Sequence, residues 1–263
     1  MPLSLFAPLD RWLAPAPAPD KVAWIGEQGF AHRGLHGLGA LENAPSAFAA
    51  AIARGLGIEC DVQRAGDGQA VVFHDWDLDR LTAESGPVGR RSAAQLGEIA
   101  LLGGEGDHIP TLGQVLAQVG GQVPLLIEIK SARDRRVAAL CLAVRRALEG
   151  YRGRHAVMSF DPRVSRWFRI HSPGTVRGLV MTEENAKTFR DQIGRHLALW
   201  HARPDFLAYD VRDLPSRFAA GQRARGLPLA TWTVRSAESR ERAAEYADAP
   251  IAEGAGLPVP SHG

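Results

Sequence analysis

GIECDVQRAGDGQAVVFHD, residues 57–75, begins with a strand pattern that carries charges on one side. Residues two apart in a strand share a face, so Glu59, Asp61 and Gln63 point one way while the apolar residues between them point the other. A second apolar run then ends in His74 and Asp75. Because buried charges need a specific partner, this pattern predicts a strand that is covered by helices on one face and carries a functional site on the other.

Short β-like runs alternate with helix-like runs from about residue 30 onward. The strand candidates are FAHRG, GIECDVQ, AVVFHD, VPLLIEIK, HAVMSF, GTVRGLV, DFLAYD and PLATWTV. Strands that alternate with helices pair in parallel. Eight candidates in a chain of 263 residues favour an α/β fold of the closed TIM (β/α)8 barrel type over an open sheet.

The chain divides into a leader and one large domain. Residues 1–28 are Pro/Ala-rich, and the repeat APAPAPD at 14–20 cannot continue a helix, which predicts a stiff connector. Residues 29–263 form the predicted barrel domain. Within it, the irregular segment at about 77–121 is interpreted as an insertion that carries the turn ESGPVG and a short helix after IPTL.

Composition indicates an ordinary folded protein and excludes some functions. The 31 basic and 29 acidic residues nearly balance, which gives no case for nucleic-acid binding. Residues 133–169 hold ten arginines, interpreted as solvated helix faces, with an anionic partner as the alternative. Cys60 and Cys141 predict reduced core residues and a cytoplasmic protein. We expect neither a signal peptide nor a membrane-spanning segment.

Further ionisable residues are predicted to reach the same end of the barrel as Asp61. In VPLLIEIK the alternation places Glu128 and Lys130 on one face at the end of the strand. The runs FAHRG and AVVFHD likewise deliver His32 and His74. Barrel enzymes build their sites at the carboxyl end of the strands, so these residues predict an active site there.

Three carboxylates in one partly desolvated mouth would repel each other unless a cation neutralised them. Glu59, Asp61 and Glu128 offer only oxygen ligands, which favour Mg²⁺ or Ca²⁺ over zinc. The sequence therefore predicts one divalent cation. The alternative is that Arg33 and Lys130 pair with these acids and no metal binds.

The remaining groups suit chemistry at a phosphodiester. His32 and His74 can exchange protons near neutral pH. Arg33 has the forked donor geometry for phosphate oxygens, and Lys130, one of three lysines in the chain, adds a point charge. Metal, cations and an acid–base pair together indicate displacement at phosphorus.

Other candidates carry less information. Trp232 and Phe160 fall at later strand ends and are candidates for a pocket wall or for the core. The other histidines have no partner at metal spacing and are interpreted as structural or surface residues; they are His36, His108, His155, His171, His196, His201 and His262.

A series of short motifs resembles the glycerophosphodiester phosphodiesterase family. The motifs are HRG at 32–34, EN at 42–43, ECD at 59–61, HD at 74–75, IPTL at 109–112, EIK at 128–130 and TWTV at 231–234. The resemblance covers residues from about 30 to 235. It implies a TIM barrel with a small insertion after the second strand, and an enzyme that hydrolyses glycerophosphodiesters to an alcohol and glycerol 3-phosphate.

The resemblance also implies roles for individual residues. The implied acid–base pair and phosphate contacts are His32, His74, Arg33 and Lys130. The implied metal ligands are Glu59, Asp61 and Glu128. Glu42 is a further candidate of the site, and Trp232 is assigned to the substrate pocket. Family members often end in a strand similar to Gly-Val-Asp-Gly-Ile-Ile-Thr-Asp, whereas this chain has YADAPIAEG, with Glu253 near the last Asp.

Three functional alternatives stay open at this point. The first is hydrolysis of small glycerophosphodiesters. The second is a lysophospholipase D or a cyclising phosphodiesterase on the same scaffold, with a membrane surface as a possible partner. The third is a barrel without catalysis that binds phosphorylated ligands.

Overall fold

The structure is a computed structural model that describes residues 6–37, 39–104, 106–131, 137–184, 186 and 188–257. The start of the predicted leader, residues 1–5, lies outside this part of the chain. So do the first arginines of the arginine-rich stretch, at 133, 135 and 136, and the carboxyl end of the predicted domain, residues 258–263.

Eight parallel strands close into a barrel, which confirms the predicted TIM fold. The described residues form nine strands, and all but β3 belong to the ring; they are β1 Phe30–Ala31, β2 Gly57–Arg64, β3 Ala70–Val72, β4 Leu125–Ile129, β5 His155–Ser159, β6 Val176–Met181, β7 Phe206–Asp210, β8 Leu229–Val234 and β9 Ala249–Ala252. Their order is β1-β9-β8-β7-β6-β5-β4-β2-β3, and β1 also pairs with β2, which closes the ring. All eight barrel pairs are parallel, and among the described strands β3 alone pairs antiparallel, with β2.

One of the predicted barrel strands is wrong. AVVFHD was counted as a barrel strand, but β3 forms a hairpin with β2, and the eighth parallel strand is β9. Only residues 65–69 separate β2 from β3, whereas a parallel crossover needs about a dozen residues. The left-handed φ of 94° at Gly68 fits this tight turn. The hairpin still returns the chain to the mouth, because Phe73 N donates to Asp61 O at 3.0 Å.

Helices follow the strands and cover the barrel. They are α1 Ala7–Leu13, α2 Pro19–Val22, α3 Pro45–Ala53, α4 Ala93–Gly97, α5 Leu112–Val119, α6 Val137–Ala147, α7 Pro162–His171, α8 Phe189–Ala202, α9 Arg217–Ala224 and α10 Ala237–Tyr246. Thr111 and Thr188 begin α5 and α8 with capping boxes, and Gly120, with φ 55°, ends α5. Such caps satisfy backbone groups that the helix itself leaves unpaired.

The segment before β1 closes the floor of the barrel. Val22, Trp24 and Ile25 are buried in one cluster with Phe30 and Phe206, which open strands β1 and β7. A Cβ atom on Gly57 would lie 2.5 Å from Phe30 Cδ1, so glycine at this position makes room for the Phe30 ring. Side chains therefore fill the interior from the floor upward, and the opposite end is left for the site.

Helix α1 is fixed to the outside of the barrel by Asp10. This carboxylate is 1% exposed and accepts hydrogen bonds of 2.8 Å each from His196 Nδ1, Trp200 Nε1 and Gln222 Nε2. Burial would raise the pKa of Asp10, but the hydrogen bonds lower it below its ordinary value. Within the described part of the chain, no helix is long and apolar enough to cross a membrane.

Candidate active site

Three carboxylates meet at the mouth of the barrel, on strands β2 and β4. Glu59 and Asp61 share a face of β2, and Asp61 lies beside Glu128 in the parallel register of β4. Carboxylate oxygens of all three residues lie within 4.8 Å of one another. The structure thus brings together the three residues predicted to be metal ligands, on the predicted side of both strands.

The electrostatics of this cluster favour a bound cation. Burial, together with the charges of Asp61 and Glu128, raises the pKa of Glu59 well above its ordinary value. Burial also raises the pKa of Glu128. For Asp61, burial would raise the pKa, but the charges of Lys130 and Arg33 lower it. Three carboxylates thus face two cations, Arg33 and Lys130, and both burial and mutual repulsion oppose full ionisation of the cluster without a further cation. Its all-oxygen donor set fits Mg²⁺ or Ca²⁺.

Arg33 joins the first strand to this cluster. Its backbone N–H donates to Glu59 Oε2 at 3.0 Å, and its Nη1 donates to Glu42 Oε1 at 2.8 Å. Its φ of 55° lies in the left-handed region, a strained conformation that is common at functional sites. Arg33 Nε is buried, 3.1 Å from Asp61 Oδ2, but it makes no hydrogen bond with the residues described. This N–H can serve an anionic ligand.

Lys130 and Asn43 complete the surroundings of Asp61. Lys130 Nζ lies 3.1 Å from both Asp61 Oδ1 and Glu128 Oε1. Asn43 Nδ2 donates to Asp61 Oδ2 at 2.9 Å, and Asn43 Oδ1 accepts from the Asp61 backbone N–H at 3.1 Å. The ion pairs proposed as an alternative to metal binding are therefore present. Among the described residues, however, no cationic side chain forms a hydrogen bond with Glu59.

His32 is oriented by a carboxylate that the sequence analysis did not assign to the site. Its Nδ1 lies 2.5 Å from Glu253 Oε2, which leaves its Nε2 facing the cluster, 4.0 Å from Glu59 Oε2. Glu253 also contacts His36 Nε2 at 3.3 Å and accepts from Arg235 Nε at 2.5 Å. His36 thus belongs to the site region, although it was interpreted as a structural or surface residue. The weak signal was the departure YADAPIAEG, which places Glu253 at the end of β9.

His74 is oriented in the same way from the other side of the mouth. Its Nδ1 lies 2.7 Å from Asp75 Oδ1, and Arg80 Nε donates to Asp75 Oδ2 at 2.5 Å. Arg80 Nη2 also donates to Glu42 Oε1 at 2.6 Å, so Glu42 joins Arg80 to Arg33. The Arg80 hydrogen bond lowers the pKa of Asp75 to about 2. A permanently ionised Asp75 holds the His74 ring with Nε2 free.

Burial lowers the pKa of both histidines below the ordinary value. For His32 the hydrogen bond to Glu253 opposes this effect, and for His74 the charge of Asp61 opposes it. Both rings are therefore neutral at neutral pH in the free protein, which suits a general base. An anionic substrate beside His74 would favour its protonated form.

Trp232 and Phe160 form an apolar wall at the mouth. Trp232 Nε1 donates to Ala208 O at 3.0 Å, and the ring packs against the interior of the barrel. Phe160 is 48% exposed, and its ring lies edge-on to Trp232 with 5.3 Å between centroids. The candidate site thus has a charged side and an aromatic side.

Known proteins show the same sequence pattern and the same fold. The glycerophosphoryl diester phosphodiesterase family model matches residues 32–251. A glycerophosphodiester phosphodiesterase of Caldanaerobacter subterraneus is 39% identical over 97 residues, which are 34% of this chain and 40% of the relative. YhdW of Bacillus subtilis is 40% identical over 106 residues, which are 38% of this chain and 43% of the relative. The chain thus matches about two-fifths of the length of these curated relatives.

Solved structures resemble the whole barrel. A phosphodiesterase of Oleispira antarctica, in complex with the product sn-glycerol-3-phosphate, has a TM-score of 0.77 at 22% identity, and the match covers 88% of this chain and 94% of that chain. A glycerophosphodiester phosphodiesterase of Thermotoga maritima has a TM-score of 0.69 at 26% identity, covering 85% and 92% respectively. These likenesses agree with the barrel described above.

Proposed function

The chain belongs to the glycerophosphoryl diester phosphodiesterase family, and from this premise we propose that it hydrolyses glycerophosphodiesters to an alcohol and glycerol 3-phosphate. The observation that carries the proposal is the carboxylate cluster of Glu59, Asp61 and Glu128 between two histidines, each bound to its own carboxylate. The product bound to the Oleispira antarctica phosphodiesterase is sn-glycerol-3-phosphate, which supports the same substrate class.

One divalent cation, Mg²⁺ or Ca²⁺, completes the proposed site. Glu59, Asp61 and Glu128 would hold it, since their oxygens already lie within 4.8 Å of one another. When bound, such an ion supplies positive charge for the phosphoryl oxygens and lowers the pKa of a coordinated hydroxyl or water. The raised pKa of Glu59 supports this assignment, because a bound cation offsets both the burial and the repulsion that raise it.

The chain's own residues bind the phosphate and move the protons. Arg33, whose Nε lies 3.1 Å from Asp61 Oδ2, donates a guanidinium N–H to a phosphate oxygen, and Lys130 adds a charge from β4. His32, held neutral by burial, accepts the proton of the nucleophile at Nε2. His74, protonated at Nε2 beside the anionic substrate, gives that proton to the alkoxide that leaves as its bond to phosphorus breaks. Trp232 and Phe160 face the organic group of the substrate.

The proposal is tested by incubating the protein with glycerophosphocholine. We expect release of choline and glycerol 3-phosphate with Mg²⁺ or Ca²⁺, and no release in EDTA after exhaustive dialysis. Phosphorus NMR distinguishes glycerol 3-phosphate from a cyclic phosphate, and a parallel assay with lysophospholipid micelles measures lysophospholipase D activity. Binding of these ligands without any turnover would instead support a barrel that only binds phosphorylated compounds.

Substituting Arg33 tests the proposed phosphate contact. Arg33→Lys keeps the charge but loses the forked pair of donors, so we expect kcat/KM to fall by about 10 to 100-fold, about 1.4 to 2.7 kcal/mol. The backbone at position 33 has a left-handed φ of 55°. Lysine adds no strain there relative to arginine, because both side chains are unbranched at Cβ. Arg54→Lys, at an exposed arginine after α3, is the matched control. Equal kcat/KM for both variants and the wild type would remove Arg33 from the site.

A further inference from the structure

Exposed apolar side chains are concentrated on one side of the barrel. Eight large apolar residues of the described chain are exposed, and five of them lie on three helices; these are Leu9 and Trp12 on α1, Ile170 on α7, and Phe189 and Leu197 on α8. Helix α8 packs against both α7 and α1, so the three helices form one continuous surface. Their exposed side chains are called the α1–α7–α8 face below.

The charges on this face are almost all positive. Arg11 and Arg166 are exposed, and Arg203 follows α8. Burial, together with the charges of Arg203 and Arg166, lowers the pKa of Arg169. Burial and Arg166 likewise lower the pKa of His201 on α8. The cations of α7 and α8 therefore lie close enough to repel each other.

Few carboxylates lie among these cations. Helix α7 contains none, Asp10 of α1 is buried, and Asp191 of α8 caps the amino end of that helix, whereas Arg203 follows its carboxyl end. Arg163 and Arg195 pair with Asp161 and Glu183. Across the described ranges, no ion pair engages the four arginines named above, which are Arg11, Arg166, Arg169 and Arg203. Arg169 Nε is buried and has no hydrogen-bond partner there. The face is thus cationic and apolar at once.

We propose that the α1–α7–α8 face docks on the surface of a bilayer that contains anionic lipids. Large apolar side chains such as Trp12 and Leu197 gain free energy at the boundary of headgroups and acyl chains. Arginines beside them are attracted by the negative surface potential of anionic lipids. A nucleic acid would engage the arginines, but it would leave the aliphatic side chains exposed to water.

The position of the face separates this binding from the proposed catalysis. Arg169 and Arg203 lie at the carboxyl ends of α7 and α8, hence beside the amino ends of the strands, whereas the site lies at the carboxyl ends of the strands. The face as a whole runs along the side of the barrel, from Phe189 at the amino end of α8 to Arg203 beyond its carboxyl end, so docking would place the outer helices rather than the open mouth against the bilayer. Membrane binding by this face does not depend on the proposed function. A soluble substrate would reach the site whether or not the protein is bound to a membrane.

Co-sedimentation with vesicles tests the proposal on the full chain. We expect binding to phosphatidylcholine vesicles with about 30% phosphatidylglycerol, a charge density in the range at which polybasic segments bind, and much weaker binding to pure phosphatidylcholine. Raising the salt concentration should release the protein, since screening shortens the range of the attraction. The double variant Arg11→Glu, Arg166→Glu should lose at least about 25-fold in partition coefficient, roughly fivefold for each arginine.

Two further variants separate the apolar contribution from general charge effects. Trp12 is 76% exposed, so Trp12→Ser should fold normally and still lose on the order of tenfold in partitioning. Arg54→Glu, on another face, should bind like the wild type. Turnover of a soluble glycerophosphodiester should be unchanged in all these variants. The proposal would be overturned if the wild type and the double variant bound equally, or if the protein did not bind anionic vesicles. Preferential binding of nucleic acid or of a second copy of the chain would also overturn it.

Discussion

Alanine in place of Glu59, Asp61 or Glu128 is expected to reduce kcat/KM on glycerophosphocholine by at least about 1,000-fold, or about 4 kcal/mol. Each substitution removes one of the anionic oxygens that lie within 4.8 Å of one another. It also leaves Arg33 or Lys130 with fewer counter-charges. Calorimetric titration with Mg²⁺ or Ca²⁺ should show the same order of loss in cation affinity as the assay shows in turnover.

Stability measurements show whether such a loss reflects the site or a damaged fold. The pKa of Glu59 is raised in the folded chain by burial and by its acidic neighbours, so its ionised form destabilises the metal-free protein at pH values above that pKa. Glu59→Gln should therefore raise the midpoint of thermal unfolding without metal while it weakens cation binding. Glu241→Ala, at an exposed acid on α10, should change neither quantity. Full activity of Glu59→Gln in EDTA would contradict a metal site.

The barrel was predictable from sequence because most of its strands are uniformly apolar and separated by helix-length segments. The exceptions have physical causes. Strand β9 is only four residues long and contains Pro250, so it lacks the β-branched composition that marks a strand. Strand β3 has that composition, with Val71 and Val72, but the length of the connection before it decides the pairing direction. Composition alone therefore chose the wrong eighth strand.

Within the site, sequence could predict residues at strand ends but not their partners from distant segments. The alternation in β2 and β4 places Glu59, Asp61 and Glu128 on one face without knowledge of the fold. Glu253 is separated from His32 by 221 positions. The strand before it is too weak to predict from composition, and the departure YADAPIAEG drew attention to Glu253 without identifying His32 as its partner.

Arg80 was missed for a related reason. It lies in the irregular segment after β3, where no periodicity predicts the direction of a side chain. Only the folded chain shows that Arg80 bridges Asp75 and Glu42, with Nη2 2.6 Å from Glu42 Oε1. Both histidines are thus oriented by carboxylates, but only Asp75 is adjacent in sequence to the histidine that it orients.

Substitution of either histidine is expected to reduce activity, but the size of the reduction should depend on the leaving group for only one of them. A leaving group with a low pKa needs no proton in the transition state, whereas choline leaves as a poor alkoxide and does. His74→Ala should therefore lose a factor of about 100 to 10,000 on glycerophosphocholine and keep much of its activity on a nitrophenyl phosphodiester. His32→Ala, which removes the proposed base, should lose activity on both substrates. His108→Ala, at an exposed histidine outside the site, is the matched control.

The two histidines have equivalent positions in the site, so the leaving-group comparison is what assigns their roles. His32 and His74 reach the carboxylate cluster from β1 and from the segment after β3, and each is bound at Nδ1 by a carboxylate, Glu253 or Asp75. Each ring can therefore use Nε2, and geometry alone makes them equivalent. The same pattern with the two histidines exchanged would reverse the roles and keep the site. Wild-type rates on glycerophosphocholine in both variants would disprove histidine catalysis, since the phosphate chemistry would then depend on the metal, Arg33 and Lys130 alone.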